Sequence, residues 1–125
     1  MLTAIDLAGF TGTEKWYRHW TDHRFIYTDG IKYLADHGGE DGAYWLINAI
    51  FSHQSNPSLR TPGLQEFQLW ELKVNNGTAV LTCRPDSNMP ALVVQEIDFT
   101  DFTFDIKLYV EGDGEHLTLL LPSEH

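Results

Sequence analysis

The sequence predicts an α+β domain: an antiparallel sheet of about five or more strands packed on one main helix, with a short helix at the N-terminus. Three observations carry this reading. Phe102, Phe104, Ile106, Leu108 and Val110 alternate with Thr103, Asp105, Lys107, Tyr109 and Glu111, the period-two pattern of a strand with one face in the core and one in water. Asn76-Gly77 separates two strand-like runs, Phe67 to Val74 and Thr78 to Arg84, and this dipeptide suits the tight turn of a β-hairpin. Ala43 to His53 repeats at helical spacing instead: Tyr44, Ile47 and Phe51 share a face that Trp45, Leu46, Ala49 and Ile50 widen. So broad an apolar surface predicts a largely buried helix.

The remaining elements follow in chain order. Met1 to Phe10 suits a short helix ending near Gly9 or Gly12. Lys15 to Trp20 and Arg24 to Thr28 are rich in aromatic and β-branched residues, as strands are. Asp29-Gly30 lies between Phe25-Ile26-Tyr27 and Ile31-Lys32-Tyr33-Leu34, and the preferred reading is a second hairpin. The competing reading makes Gly30 to His37 a helix stopped by Gly38-Gly39. Ser52 to Gly63, with Asn56-Pro57 and Thr61-Pro62-Gly63 as breakers, reads as the loop dividing a mixed first half from a strand-rich second half. Leu92 to Phe99 follows the Pro85–Pro90 loop as a strand expected to pair with Phe102 to Glu111. The chain then turns through Gly112-Asp113-Gly114 into a last strand, Leu117 to Leu121. One apolar sheet face needs a cover, and the 43–53 helix is expected to supply it.

At 125 residues and 42% hydrophobic, with 13% aromatic, the chain has enough material for one core, residues 1–125 reading as one domain, and is not a disordered segment. No apolar run reaches the roughly 20 residues that cross a bilayer. The N-terminus carries Asp6 and no basic region of the kind that opens a secretory signal. Cys83 stands alone, which excludes an internal disulfide and a cysteine metal cluster. These features point to a cytoplasmic protein, in which Asn76-Gly77-Thr78 is a turn rather than a glycosylation site.

Charge narrows the function classes. Eighteen acids face eight bases, for a formal net charge of −10, and from Asp86 to His125 nine acids face Lys107 alone. Direct binding to a nucleic-acid backbone needs a positive stripe, which is missing, and an acidic membrane surface is disfavoured for the same reason. A basic protein partner fits. With Leu92–Phe99 beside Phe102–Glu111, the side chains of Glu96, Asp98, Asp105 and Glu111 turn away from the core, and Asp101, Asp113 and Glu115 sit at the turns. The functional expectation is an acidic docking face that imitates nucleic-acid phosphates in a basic groove; the plainer one is a solvated face that keeps the protein soluble. Among the aromatics of the first half, Tyr17 and Trp20 are the candidate exposed anchors.

Catalysis and metal chemistry find less material. No nucleophile elbow, phosphate loop or dinucleotide fingerprint is present. Cys83 shares a strand face with Ala79 and Leu81 and reads as buried and inert. His19 and His23 are weak metal candidates, since no further ligand is spaced to join them, and no metal or cofactor is expected. The alternative function is a small metal-binding or acid–base enzyme built on the Arg18-His19-Trp20-Thr21-Asp22-His23 region, with Asp29 and Tyr33 converging on it. A third possibility is a structural, self-associating module; the oligomeric state is left open.

The runs Phe10-Thr11-Gly12-Thr13-Glu14-Lys15-Trp16-Tyr17-Arg18-His19, Tyr27-Thr28-Asp29-Gly30-Ile31-Lys32-Tyr33-Leu34-Ala35-Asp36 and Gly42-Ala43-Tyr44-Trp45-Leu46-Ile47 resemble a family of small uncharacterised proteins found in bacteria, phages and other mobile elements. The likeness is close over roughly the first 55 residues and general beyond them. His37 to Gly42 departs from the family pattern as a small insertion. The resemblance brings no activity and no site residues. It implies a context in which small acidic proteins bind and disable host proteins, including nucleic-acid-handling and defence complexes.

Overall fold

A computed structural model describes residues 2–125. Along the chain it places α1 (Ala4–Ala8), β1 (Trp16–Arg18), β2 (Phe25–Thr28), α2 (Asp29–His37), α3 (Tyr44–Ser52), α4 (Pro62–Glu66), β3 (Phe67–Asn75), β4 (Thr78–Arg84), β5 (Val93–Ile97), β6 (Ile106–Gly112) and β7 (Leu117–Leu120). The seven strands form one sheet in the order β1-β2-β7-β6-β3-β4-β5. The class is α+β, but the sheet is mixed: β2 runs parallel to β7, and every other neighbouring pair is antiparallel. The parallel pair arises because β2 feeds directly into a helix. Its free edge is then taken by the last strand of the chain rather than by the next one.

That helix, α2, replaces the hairpin preferred at Asp29-Gly30. The Thr28 hydroxyl accepts the Ile31 N–H, Asp29 sits in the first turn, and Ile31, Leu34 and Ala35 are buried at helical spacing. Gly30 has a reason other than a turn. A Cβ there would lie 2.6 Å from Oε1 of Glu124, whose carboxylate accepts the Gly30 N–H at 3.1 Å, the Thr28 hydroxyl at 2.7 Å and the Leu121 N–H at 3.0 Å. The C-terminal segment thus caps the start of α2, and only a residue without a side chain admits the cap. At Asn76-Gly77 the turn does form, with φ of 46° and 90°, the left-handed pair that a two-residue hairpin requires.

Cover for the sheet comes from α2 and α3 together rather than from one main helix. Ile31, Leu34, Leu46, Ile50 and Phe51 join Trp70, Leu72, Leu81, Leu108 and Leu119 in a continuous core. Each such side chain contributes about 1.5–3 kcal/mol by leaving water. Gln54 and Gln68, buried among these, exchange reciprocal amide hydrogen bonds of 2.8 and 2.9 Å, and the Trp70 indole donates to Gln68 Oε1 at 2.8 Å. Cys83 is fully buried, and burial pushes its thiol up to about 12.

Two expectations in the second half are corrected. The strand expected over Phe102–Glu111 begins only at Ile106. Phe102 alternates with Phe104 because it is buried against Trp45, with ring centroids 6.2 Å apart, and not because it pairs in a ladder. Nor does the Leu92–Phe99 strand lie beside it. β5 pairs with β4, and β6 pairs with β3 and β7, so β4 and β3 stand between them. The Asn76-Gly77 hairpin is a local unit whose two outer edges take β5 on one side and β6 on the other. β5 is consequently one edge of the sheet, with β1 at the other.

Candidate functional site

Two surfaces compete for a functional role, and the first-half residues set out the first. His19 is buried. Its Nδ1 lies 2.6 Å from the Thr21 hydroxyl, and its Nε2 lies 2.8 Å from Oδ1 of Asn48, which also accepts the Trp20 indole N–H at 3.3 Å. Both ring nitrogens are engaged, and the ring packs 4.9 Å from that of Phe51. His19 therefore ties β1 to α3. His23 is exposed beside Asp22, while Asp22 is committed to Arg24 at 3.0 Å, an interaction that lowers the carboxyl below its usual range. Among the described residues, no three His, Cys, Asp or Glu side chains are grouped as a metal would need. Thr21 and Asn48 were missed by sequence reasoning, since nothing local marks either as a partner of His19.

The first two of the three runs that carry the family resemblance line one groove of about 770 Å³, between Gly9–Glu14 and α2, and the third touches it through Tyr44. Asp29 organises it. Its carboxylate accepts the Glu14 N–H at 3.0 Å, the Lys15 N–H at 3.3 Å and the Tyr17 hydroxyl at 3.0 Å, and its own N–H donates to the Thr13 hydroxyl at 2.9 Å. The bonds from Glu14, then Tyr17 and Lys15, hold its carboxyl below the usual range, and the same contact raises the Tyr17 phenol. One turn along α2, Lys32 donates to Asp36 at 2.8 Å and to the Tyr44 hydroxyl at 3.0 Å, and Tyr44 in turn donates to Asp36. The Lys32 ammonium sits 5.6 Å from the Tyr17 ring and 5.8 Å from the Tyr44 ring. The bonds from Lys32 and then Tyr44 hold the Asp36 carboxyl below its usual range, and Asp36 in turn raises Lys32. The groove is a clamp in which charges answer one another. Tyr17 is a half-buried part of that clamp, whereas Trp20 stands 80% exposed.

The acidic residues divide into separate groups. Glu96 on β5 is followed by Asp98 and Asp101, all exposed, on the chain leading away from that edge. Asp105 accepts the Val74 N–H at 2.8 Å and closes the end of β3. Glu111, Asp113 and Glu115 lie toward the other end of the sheet: Glu111 pairs with the His125 imidazole, and Asp113 accepts the N–H groups of Glu115 and His116 at 2.8 and 2.7 Å. Those two bonds, His116 first, lower the Asp113 carboxyl. In register, Glu96 stands opposite Val80 and Val80 opposite Lys73, while Glu111 stands opposite Phe67. Glu96 and Glu111 thus lie on the same outer face of the sheet, but β4 and β3 stand between their strands and they sit at opposite ends of β3, so the seven acids form separate groups.

What accompanies the β5 group is apolar surface. Val94 is 64% exposed and Phe99 77%, with Leu92, Met89 and Val80 also open to water. No element of the described residues pairs with the outer edge of β5. Exposed apolar side chains on an open edge form a template for a further chain. This combination of acid, apolar surface and free edge occurs where neither periodicity nor motif marks it.

Among the described residues, no helix is long and apolar enough to cross a membrane. No curated protein matches the chain. A crystal structure of a protein of unknown function from Enterococcus faecalis shares the fold, with a TM-score of 0.61 and 19% identity over 84% of this chain and 92% of that one. The model of a family of unknown function, DUF6876, matches residues 1–125, and the chain belongs to that family.

Proposed function

We propose that this is a non-catalytic protein-binding module that acts in the cytoplasm and engages a basic partner through the β5 edge and the chain that follows it. The observation that carries the reading is the open edge at β5, where Val94 and Phe99 stand in water beside Glu96, Asp98 and Asp101. Apolar groups supply the burial that drives association, and the carboxylates select a positive surface and speed the encounter. A net charge of −10 repels nucleic-acid phosphates directly. Proteins that handle nucleic acid carry positive grooves, so the partner class is a nucleic-acid-handling protein. The role is that of an inhibitor occupying its groove, carried on a phage or other mobile element of a bacterium.

The test is a pull-down from bacterial lysate with the wild-type protein and with Glu96→Lys/Asp98→Lys as baits, washed at low and at high salt. The reading expects a basic protein that wild type retains at low salt, releases at high salt, and that the doubly substituted bait does not retain. Equal retention by both baits would overturn it.

A further inference from the structure

Beyond the end of β5, the chain from Phe99 to Phe104, the end of α2 with Gly39 and Glu40, and Leu2 line a cleft of about 500 Å³, within the size range of sites that take small ligands. Its walls include the rings of Phe99, Phe102 and Phe104, and its rim carries the carboxylates of Asp101 and Glu40. Phe102 is buried and meets Phe104 nearly edge-on, with centroids 6.3 Å apart. Phe99 is left mostly in water. His37 also lines the cleft, with its ring tilted against that of Tyr33 at 4.2 Å between centroids, and neither lysine nor arginine does.

We infer that this cleft receives the side chain of an arginine or lysine presented by a protein partner. The inference rests on the reading of the β5 edge as a binding surface. Aromatic faces attract cations, and a long basic side chain lays its apolar stem along such rings while its charged head reaches a carboxylate. Asp101 is held ready for that head: its Oδ2 accepts the Glu40 N–H at 2.9 Å, and it rests against Gly39, where a Cβ would overlap the carboxylate. Charge also selects the occupant. A second copy of this chain would bring another net −10 to a surface that is already negative, whereas a basic chain neutralises it.

The experiment follows the ring signals of Phe99, Phe102 and Phe104 and the amide signals of Glu96 and Asp98 by NMR. Two blocked tripeptides, Gly-Arg-Gly and its citrulline counterpart, are titrated into the full chain. The arginine peptide moves the ring signals, and the uncharged citrulline peptide leaves them in place. Phe99→Ala, at an exposed position, and Asp101→Asn, which keeps an acceptor for the Glu40 N–H, each weaken arginine binding by about ten-fold. Ring signals that respond equally to both peptides, or binding that survives both substitutions, overturn the inference. If only the Glu96 and Asp98 amides move with the arginine peptide, the cleft is refuted and the acidic-edge reading stands. If no signal moves, both fall.

Discussion

In the groove against α2, Asp29, Lys32 and Asp36 are answered by neighbours within hydrogen-bonding distance; at the end of β5 and just beyond it, the exposed side chains of Glu96, Asp98 and Phe99 have no such partner among the described residues. The groove is lined by residues from two of the three runs that give the chain its recognisable signature. The edge holds residues that no local pattern singles out. A network of this kind stabilises a particular backbone path and has less left to offer a ligand, since the Asp29, Lys32 and Asp36 side chains are already engaged. An open edge contributes little to folding and keeps its interactions for association. On the proposed function, the first region serves stability and the second serves binding.

Substitutions sharpen that division. The largest expected effect on stability is at Gly30, where valine drives side-chain atoms into the Glu124 carboxylate and costs about 1–3 kcal/mol in urea unfolding. A Gly30→Val protein as stable as wild type would show that the C-terminal cap is dispensable. His19→Ala leaves Thr21 and Asn48 without their buried partner and costs about 1–3 kcal/mol. It also shifts the fluorescence of Trp20, whose indole shares the Asn48 acceptor. Normal stability and an unchanged spectrum would separate His19 from the fold.

Acid titration tests the clamp from another side. Asp29 and Asp36 have folded-state protonation ranges below their unfolded ones. The stability they contribute is therefore complete above the unfolded carboxylate value of about 3.9 and is lost as pH falls below it through the folded values. Asp29→Asn is less stable than wild type at neutral pH, and the gap in urea midpoint closes on acidification. A gap that ignores pH would contradict the assignment. The smallest expected effect is at the edge, where Glu96→Lys and Phe99→Ala leave stability within about 0.5 kcal/mol of wild type.

How much of this was legible in the sequence depends on how local each cause is. Asn76-Gly77 gave the hairpin correctly because its turn is decided by two residues. Asp29-Gly30 presented the same kind of signal for a different reason, the approach of Glu124 from the far end of the chain, and the helix competed successfully through Thr28 and the buried Ile31–Leu34–Ala35 face. Phe102 and Phe104 were rightly read as core-directed but wrongly read as a ladder, because alternation reports burial and not pairing. The β5–β4 and β6–β3 pairings are long-range choices that strand patterns do not encode. The charge of Glu96, Asp98 and Asp101 was visible; that they lie beside an open edge, apart from Glu111, Asp113 and Glu115, needed the sheet order.

The most direct measurement of the comparison uses two baits against the partner retained by wild type. In one, Thr11→Arg and Glu14→Lys fill and recharge the groove, leaving the backbone bonds to Asp29 in place. In the other, Glu96→Lys and Phe99→Ala alter the edge. The account predicts that the groove bait keeps the partner and the edge bait loses it. Loss from the groove bait with retention by the edge bait would place the binding surface on the signature residues and contradict the division drawn here.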